Sequence, residues 1–134
     1  MYCFDTDVLS AAVRPQPPLR LVRRLAQLAP DEQCTTAITL GELVYGIAKR
    51  AEAELAERVR AVIEQAELIL PFDERAAEVY GTLRARLERA GHRLDMADLC
   101  IASIALARDL TLVTGNVKHF ARVPGLRVEN WLAA

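Results

Sequence analysis

"DLCIASIALARDLTLVTGN", Asp98–Asn116, joins two apolar segments of different character across one polar break, Arg108-Asp109. The first belongs to Met96–Leu110, long enough for a helix and apolar on nearly every side, which predicts burial on more than one face. The second, Leu110–Thr114, is short, rich in β-branched residues and closed by Gly115 and Asn116, as a buried strand would be. A helix that needs covering on several sides and leads straight into a strand requires a sheet with helices packed against it.

The same alternation extends outward. Upstream, Asp73–Ala90 is an amphipathic helix stopped by Gly91, and "ELILPF", Glu67–Phe72, is a strand closed by Pro71. Before it come a charged helical stretch, Ala51–Ala66, a helix from Thr39 to about Arg50, and "EQCTTAIT", Glu32–Thr39, which reads as a short strand. In "LRLVRRLAQLA", Leu19, Val22, Leu25, Ala26 and Leu28 share the spacing of one helix face. "RPQPP" separates this helix from a short one in Val8–Arg14, because proline lacks an amide donor and biases its predecessor away from helix. Met1–Phe4 is the first strand. Downstream, Gly115–Gly125 is a turn with about one helical turn, and Leu126–Trp131 is a fifth short strand. The prediction is a single α/β domain over residues 1–134: a three-layer sandwich with a mostly parallel sheet of about five strands.

Composition bounds what such a domain can do. With 134 residues and 52% hydrophobic content there is material for one core. Lys plus Arg is 17 and Asp plus Glu 18, so no overall field attracts a polyanion, and any nucleic-acid binding must be local or metal-mediated. The cations are nearly all Arg, which suits phosphate, although an Arg-biased genome gives the same result. Cys3, Cys34 and Cys100 are scattered in apolar stretches, the pattern of reduced core cysteines in a cytoplasmic protein. No basic leader precedes the first strand and no apolar run reaches the roughly 18 residues of a membrane span, so a soluble, unprocessed chain is expected.

In open α/β sheets, ligands gather beyond the carboxyl ends of the strands. Asp5 ends the first strand, Glu42 lies just after the second, Asp98 opens the apolar helix and Asn116 follows the fourth strand. Each has a purely architectural explanation. Thr39-Leu40-Gly41-Glu42 fits a capping box, Asp95 can cap a helix with Asp98 in its first turn, Asp5 or Asp7 can start the first helix, and Asn116 is a normal turn residue. Three carboxylates meeting in a partly dehydrated cleft would, however, require protons or a cation. An all-oxygen site suits Mg²⁺ or Mn²⁺, and such ions support phosphodiester hydrolysis.

At these residues the chain resembles PIN-domain ribonucleases, in particular the VapC-type toxins of bacterial and archaeal toxin–antitoxin pairs. The resemblance rests on "YCFDTDVLS", "TTAITLGELVYG", "DLCIASIALARDLTLVTGN" and "HFARVPGLRVENW", in order and spanning nearly the whole chain. It implies a metal-dependent endoribonuclease in which Asp5, Glu42 and Asp98 hold the ion and metal-activated water attacks RNA. It makes Asp95 a cap or supporting acid, and Thr6 and Thr114 supporting hydroxyls. It also implies a homodimer and a cognate antitoxin whose tail occupies the groove near the acids. Where the family often has a fourth acid this chain has Asn116, which puts a second metal in doubt. Asp7 is read as a helix-start residue, apart from the acidic set.

Other residues invite competing readings. His92 is a loop residue after Gly91, His119 a surface-turn residue with RNA phosphate contact as the alternative, and Trp131 a packing anchor or a base-stacking platform. Lys49–Arg60 mixes charges as a solvated helix face would. Leu43, Tyr45 and Ile47 are core residues unless exposed, and an exposed one would be a candidate dimer or antitoxin contact. "FDTDVLS" also resembles the Asp-x-Asp start of haloacid dehalogenase-type phosphatases, with Asp5 as nucleophile, although Leu9 departs from that motif. A non-catalytic binding module whose acids are only caps is the third possibility.

Overall fold

The computed structural model describes residues 1–65 and 68–133. The strands are β1 (Tyr2–Phe4), β2 (Gln33–Thr36), β3 (Leu68–Leu70), β4 (Thr111–Val113) and β5 (Arg127–Glu129). They pair in the order β3-β2-β1-β4-β5, every pair parallel, so β1 lies at the centre. Helices α1 (Thr6–Ala12), α2 (Leu19–Ala26), α3 (Ala37–Arg50), α4 (Ala53–Gln65), α5 (Glu74–Arg89), α6 (Met96–Ala107) and α7 (Val117–Phe120) fill the connections. Glu67 and Ala66, the expected ends of a strand and a helix, lie outside the described residues.

Strand side chains alternate between two cores, which is why the sheet must be covered on both faces. Cys3, Cys34 and Leu112 join the core under α5 and α6, whereas Phe4 and Val113 join the core under α1 to α4. The apolar α6 is buried along most of its length, from Leu99 to Ala107, and its Ser103 hydroxyl is satisfied by the Leu99 carbonyl at 2.7 Å. The stop at Gly91 is a Schellman turn. Gly91 takes φ +78°, while the amides of His92 and Gly91 reach the carbonyls of Leu87 (2.8 Å) and Glu88 (3.0 Å).

Three local expectations need correction. In α2 the buried stripe is Leu21 with Leu25 and Leu28 packed beside it, while Leu19 and Val22 face solvent. Two apolar stripes compete in that short helix, and the one facing the sheet wins. β2 ends at Thr36, so Ala37-Ile38-Thr39 begins α3 rather than finishing the strand. The strand at the C-terminus is Arg127–Glu129; Trp131 lies beyond it, 1% exposed, with its ring against Tyr2 and Phe4 and its Nε1–H donating to Glu129 at 3.0 Å. That burial makes it an anchor and removes it as a stacking platform.

Candidate active site

Chain order reverses across the sheet beside β1: β2 and β3 lie to one side, β4 and β5 to the other. Beyond the carboxyl ends of these strands opens a cleft of about 620 Å³ lined by Asp5, Thr6, Asp7, Glu42, Asp98 and Asn116, with Ser10, Arg14, Ile101 and Gly115. A switch point of this kind is where open α/β sheets form ligand sites.

Asp5 is where β1 becomes α1. Its amide still follows the sheet, donating to the Val113 carbonyl at 3.1 Å, while its carboxylate caps α1 by accepting from the Val8 amide at 3.3 Å. It is only 5% exposed. Burial, with Asp7 beside it, pushes its pKa up to about 9, against the Thr114 hydroxyl and Val8 amide, which favour the charged form.

Glu42 is not part of a capping box. The true N-cap of α3 is Thr36, whose hydroxyl accepts from the Thr39 amide at 3.1 Å, so Glu42 sits in the second turn with no backbone role at that end. Its side chain accepts instead from the Thr6 hydroxyl, tying α3 to the start of α1. Asp95 caps α6 through the Asp98 amide at 2.8 Å, which leaves the half-buried Asp98 carboxylate free to face the cleft. Burial, then the negative charges of Asp95, Glu42 and Asp7, raises the Asp98 pKa to about 6, partly offset by His119. Glu42 and Asp7 therefore act on Asp98 through space although both lie far from it in sequence, whereas the acid that acts on Asp5 is its neighbour Asp7.

Asn116 starts α7, its amide donating to the Thr114 hydroxyl at 2.9 Å and its side-chain amide meeting His119 Nδ1 at 2.8 Å. Asp7 is in this cleft too. Its carboxylate accepts from the Gly115 amide at 2.9 Å, across the crevice from its own helix. A Cβ on Gly115 would stand 2.5 Å from that carboxylate, so the close approach needs glycine. His92 lies elsewhere, in a cleft of about 310 Å³ with Tyr80 and Arg84.

The PIN domain, as a sequence family, matches residues 2–126. The chain belongs to the PIN-domain family, among its VapC-type ribonucleases. Ribonuclease VapC2 of Rickettsia felis is 34% identical over 132 residues, covering 98% of each chain. The tRNA(fMet)-specific endonuclease VapC of Salmonella typhimurium is 36% identical over 134 residues, with 97% of each covered. The fold agrees equally well with the crystal structure of VapBC2 from Rickettsia felis bound to a DNA fragment from their promoter. There the TM-score is 0.87 at 34% identity, over 97% of this chain and 98% of that one.

PIN-domain ribonucleases generally depend on divalent metal, and the donors fit one. The cleft offers carboxylate, hydroxyl and amide oxygens without thiol or thioether, the set preferred by a hard ion. Among the described residues no three His, Cys, Asp or Glu side chains close into a ready cage. An open cleft of this kind matches an ion that keeps several waters and binds through one or two carboxylates. Sequence reasoning missed Asp7, Ser10, Arg14 and Gly115. The first three had a signal in their spacing, which places them on one helical face pointing the same way as the acids.

Proposed function

We propose that this PIN-domain ribonuclease is the toxin of a toxin–antitoxin pair and cleaves RNA phosphodiesters at the Asp5, Glu42 and Asp98 cleft with Mg²⁺ or Mn²⁺. The convergence of these acids on one partly buried cleft carries the reading. Asp5 and Asp98 are both held above the ordinary carboxylate range by burial and by neighbouring acids, a state a divalent cation relieves. The ion supplies Lewis acidity: it neutralises phosphate charge and makes water a better nucleophile at neutral pH.

The chain's own residues do the positioning. Asp5, locked by its cap to α1, and Asp98, set by the Asp95 cap, present fixed oxygens from two sides of the crevice. Thr6 fixes the rotamer of Glu42 through its hydroxyl, and Thr114 supports both Asp5 and the Asn116 turn. Asn116 contributes a neutral oxygen or amide beside β4, while Asp7 is the fourth carboxylate of the cleft.

Structured RNA such as transfer RNA is the substrate class suggested by the tRNA(fMet)-specific relative. A cognate antitoxin is suggested by the likeness to a VapBC complex. Val44 and Tyr45, 52% and 65% exposed on α3, are the apolar pair available to an antitoxin or to a second copy in a homodimer, whereas Leu43 is buried. No helix among the described residues is long and apolar enough to cross a membrane.

Sequencing RNA ends after induced expression, with purified protein assayed against transfer RNA with and without chelator, tests the reading. Specific new ends that vanish with chelator and in Asp98→Asn are expected. Cleavage that persists in well-folded Asp98→Asn would overturn the site, and a phosphoaspartate trapped at Asp5 would favour a phosphatase.

A further inference from the structure

The acid cleft continues into a groove of about 290 Å³ with which it shares Ser10, Arg14 and Glu42. Two helix faces line this path. Along α1 and just past its end, Asp7, Ser10 and Arg14 follow one another at helical spacing, and along α3, packed against α1, Glu42, Gly46 and Arg50 do the same. Both helices start at the carboxyl edge of the sheet. Each series therefore opens with a carboxylate at the active-site end and closes with a guanidinium roughly 10–12 Å further on, at 1.5 Å per residue. Cations gather toward the far end, where Arg14, Arg50 and Arg58 line the groove with Glu52 as the one carboxylate among them.

The two terminal arginines are free for a ligand. Arg14 and Arg50 are exposed, and among the described residues neither makes an ion pair, although carboxylates line the same cleft as Arg14. Arg58, in the same groove, is committed to the fold instead. Its Nε–H donates to the Val13 carbonyl at 2.7 Å, pinning the residue before Arg14, and Pro15 restrains the backbone just after it. Between Glu42 and Arg50 the groove passes Gly46, where an added Cβ would have no atom within 4 Å.

We propose that Arg14, with Arg50 beyond it, anchors the RNA phosphates flanking the scissile bond, so that the strand leaves the acid cleft along the α1–α3 groove. This rests on the ribonuclease reading above. Unpaired guanidinium forks match phosphate oxygens in geometry and charge, and the acids beside them need an ion before a phosphate can approach. An RNA strand meets both conditions at once: the reacting phosphate lies at the acidic end and its neighbours at the basic end. The near-neutral net charge of the chain is thereby resolved locally into a bound path.

Fluorescence anisotropy of a short, dye-labelled single-stranded RNA of mixed sequence, with Ca²⁺ in place of Mg²⁺ so that a hard ion fills the acid cleft while cutting is suppressed, reads the anchor directly. Arg14→Ala should weaken binding about tenfold, as the loss of a charge-assisted contact does. It should also reduce the slope of log affinity against log salt by about 0.7. Arg14→Lys should restore the slope but only part of the affinity, and Arg50→Ala should act as a weaker Arg14→Ala. Gly46→Leu should narrow the groove and weaken binding with the slope unchanged. In cleavage of transfer RNA with Mg²⁺, Arg14→Ala should raise KM with kcat held within about twofold. Unchanged RNA affinity in folded Arg14→Ala and Arg50→Ala overturns the proposal, as does an effect confined to antitoxin binding, which would give the groove to a protein. Wild-type protein that cuts no RNA with Mg²⁺ or Mn²⁺ would defeat the ribonuclease reading separately, while the anisotropy still decides the anchor.

Discussion

Asp5 and Asp73 perform the same structural task in opposite surroundings. Each is the N-cap of a helix and accepts from the amide three residues on, Val8 at 3.3 Å and Ala76 at 2.9 Å. Asp73 sits at the surface, where the Ala76 amide and the Arg108 guanidinium, 3.1 Å away, hold its carboxyl below the usual range. Asp5 is buried against Asp7 with no cation, and its pKa rises to about 9. Capping is thus compatible with either role. On the proposed reading, what separates the two is that the fold supplies the compensating charge to Asp73 and leaves that of Asp5 to a ligand.

The sharpest way to break this contrast is to neutralise each acid without changing its shape. Asp5→Asn and Asp98→Asn should reduce RNA cleavage by about 10²–10⁴-fold, the scale of lost charge stabilisation at a reacting centre. Asp73→Asn should leave kcat/KM unchanged. Equal losses at Asp5 and Asp73 would show that both act only through folding.

Metal should widen the contrast. Saturating Mg²⁺ or Mn²⁺, at about 100 times its Kd, should stabilise the wild type by about 2.7 kcal/mol in thermal melts. Asp5→Asn should respond little. A Tm of the wild type that is indifferent to both ions would argue for caps alone.

The pH dependence should differ in sign. Asp5 and Asp98 have folded-state pKa values of about 9 and about 6, raised from 3.8, so their contribution to the metal-free fold is full below about pH 4. It is lost as pH rises, through about 6 for Asp98 and about 9 for Asp5. At pH 8 without metal, Asp5→Asn should therefore melt higher than wild type, on the order of 5 °C, despite being inactive. Asp73 runs the other way: its depressed pKa gives stability present above pH 3.8 and lost on acidification. Asp73→Asn should lower Tm slightly at pH 7 and less at pH 3, the smallest of these effects.

The architecture was legible because alternating strands and helices leave few topologies, and because an apolar helix such as α6 must be covered on several sides. That Asp5, Glu42 and Asp98 share a cleft has a related reason: Asp5 ends β1, Glu42 lies near the start of the helix after β2, and Asp98 near the start of the helix that leads into β4, so the fold sets all three at one edge whatever their separation in sequence. The errors share a cause, in that local patterns resemble one another. Thr39-Leu40-Gly41-Glu42 imitates a capping box, but the strand fixes where the helix starts, and Thr36 takes the cap. In α2, Leu19 and Val22 look as apolar as Leu21, and only the neighbouring sheet decides which stripe is buried. Asp7 has the local pattern of a helix-start residue, which hides its place in the cleft. Its partner, the Gly115 amide, lies more than a hundred residues away and has no local signature.

The position of β1 at the middle of the sheet has a consequence for synthesis. Its neighbours are β2 and β4, so the central strand waits for residues up to Val113 before both its edges are paired. Asp98 and the Asn116 turn are made more than ninety residues after Asp5. A prematurely ended chain that lacks Asp98 lacks part of the acid set as well as a flank of the sheet. The order of the strands therefore ties the acid set to the pairing of β1: the cleft is complete only once β4 has joined the central strand.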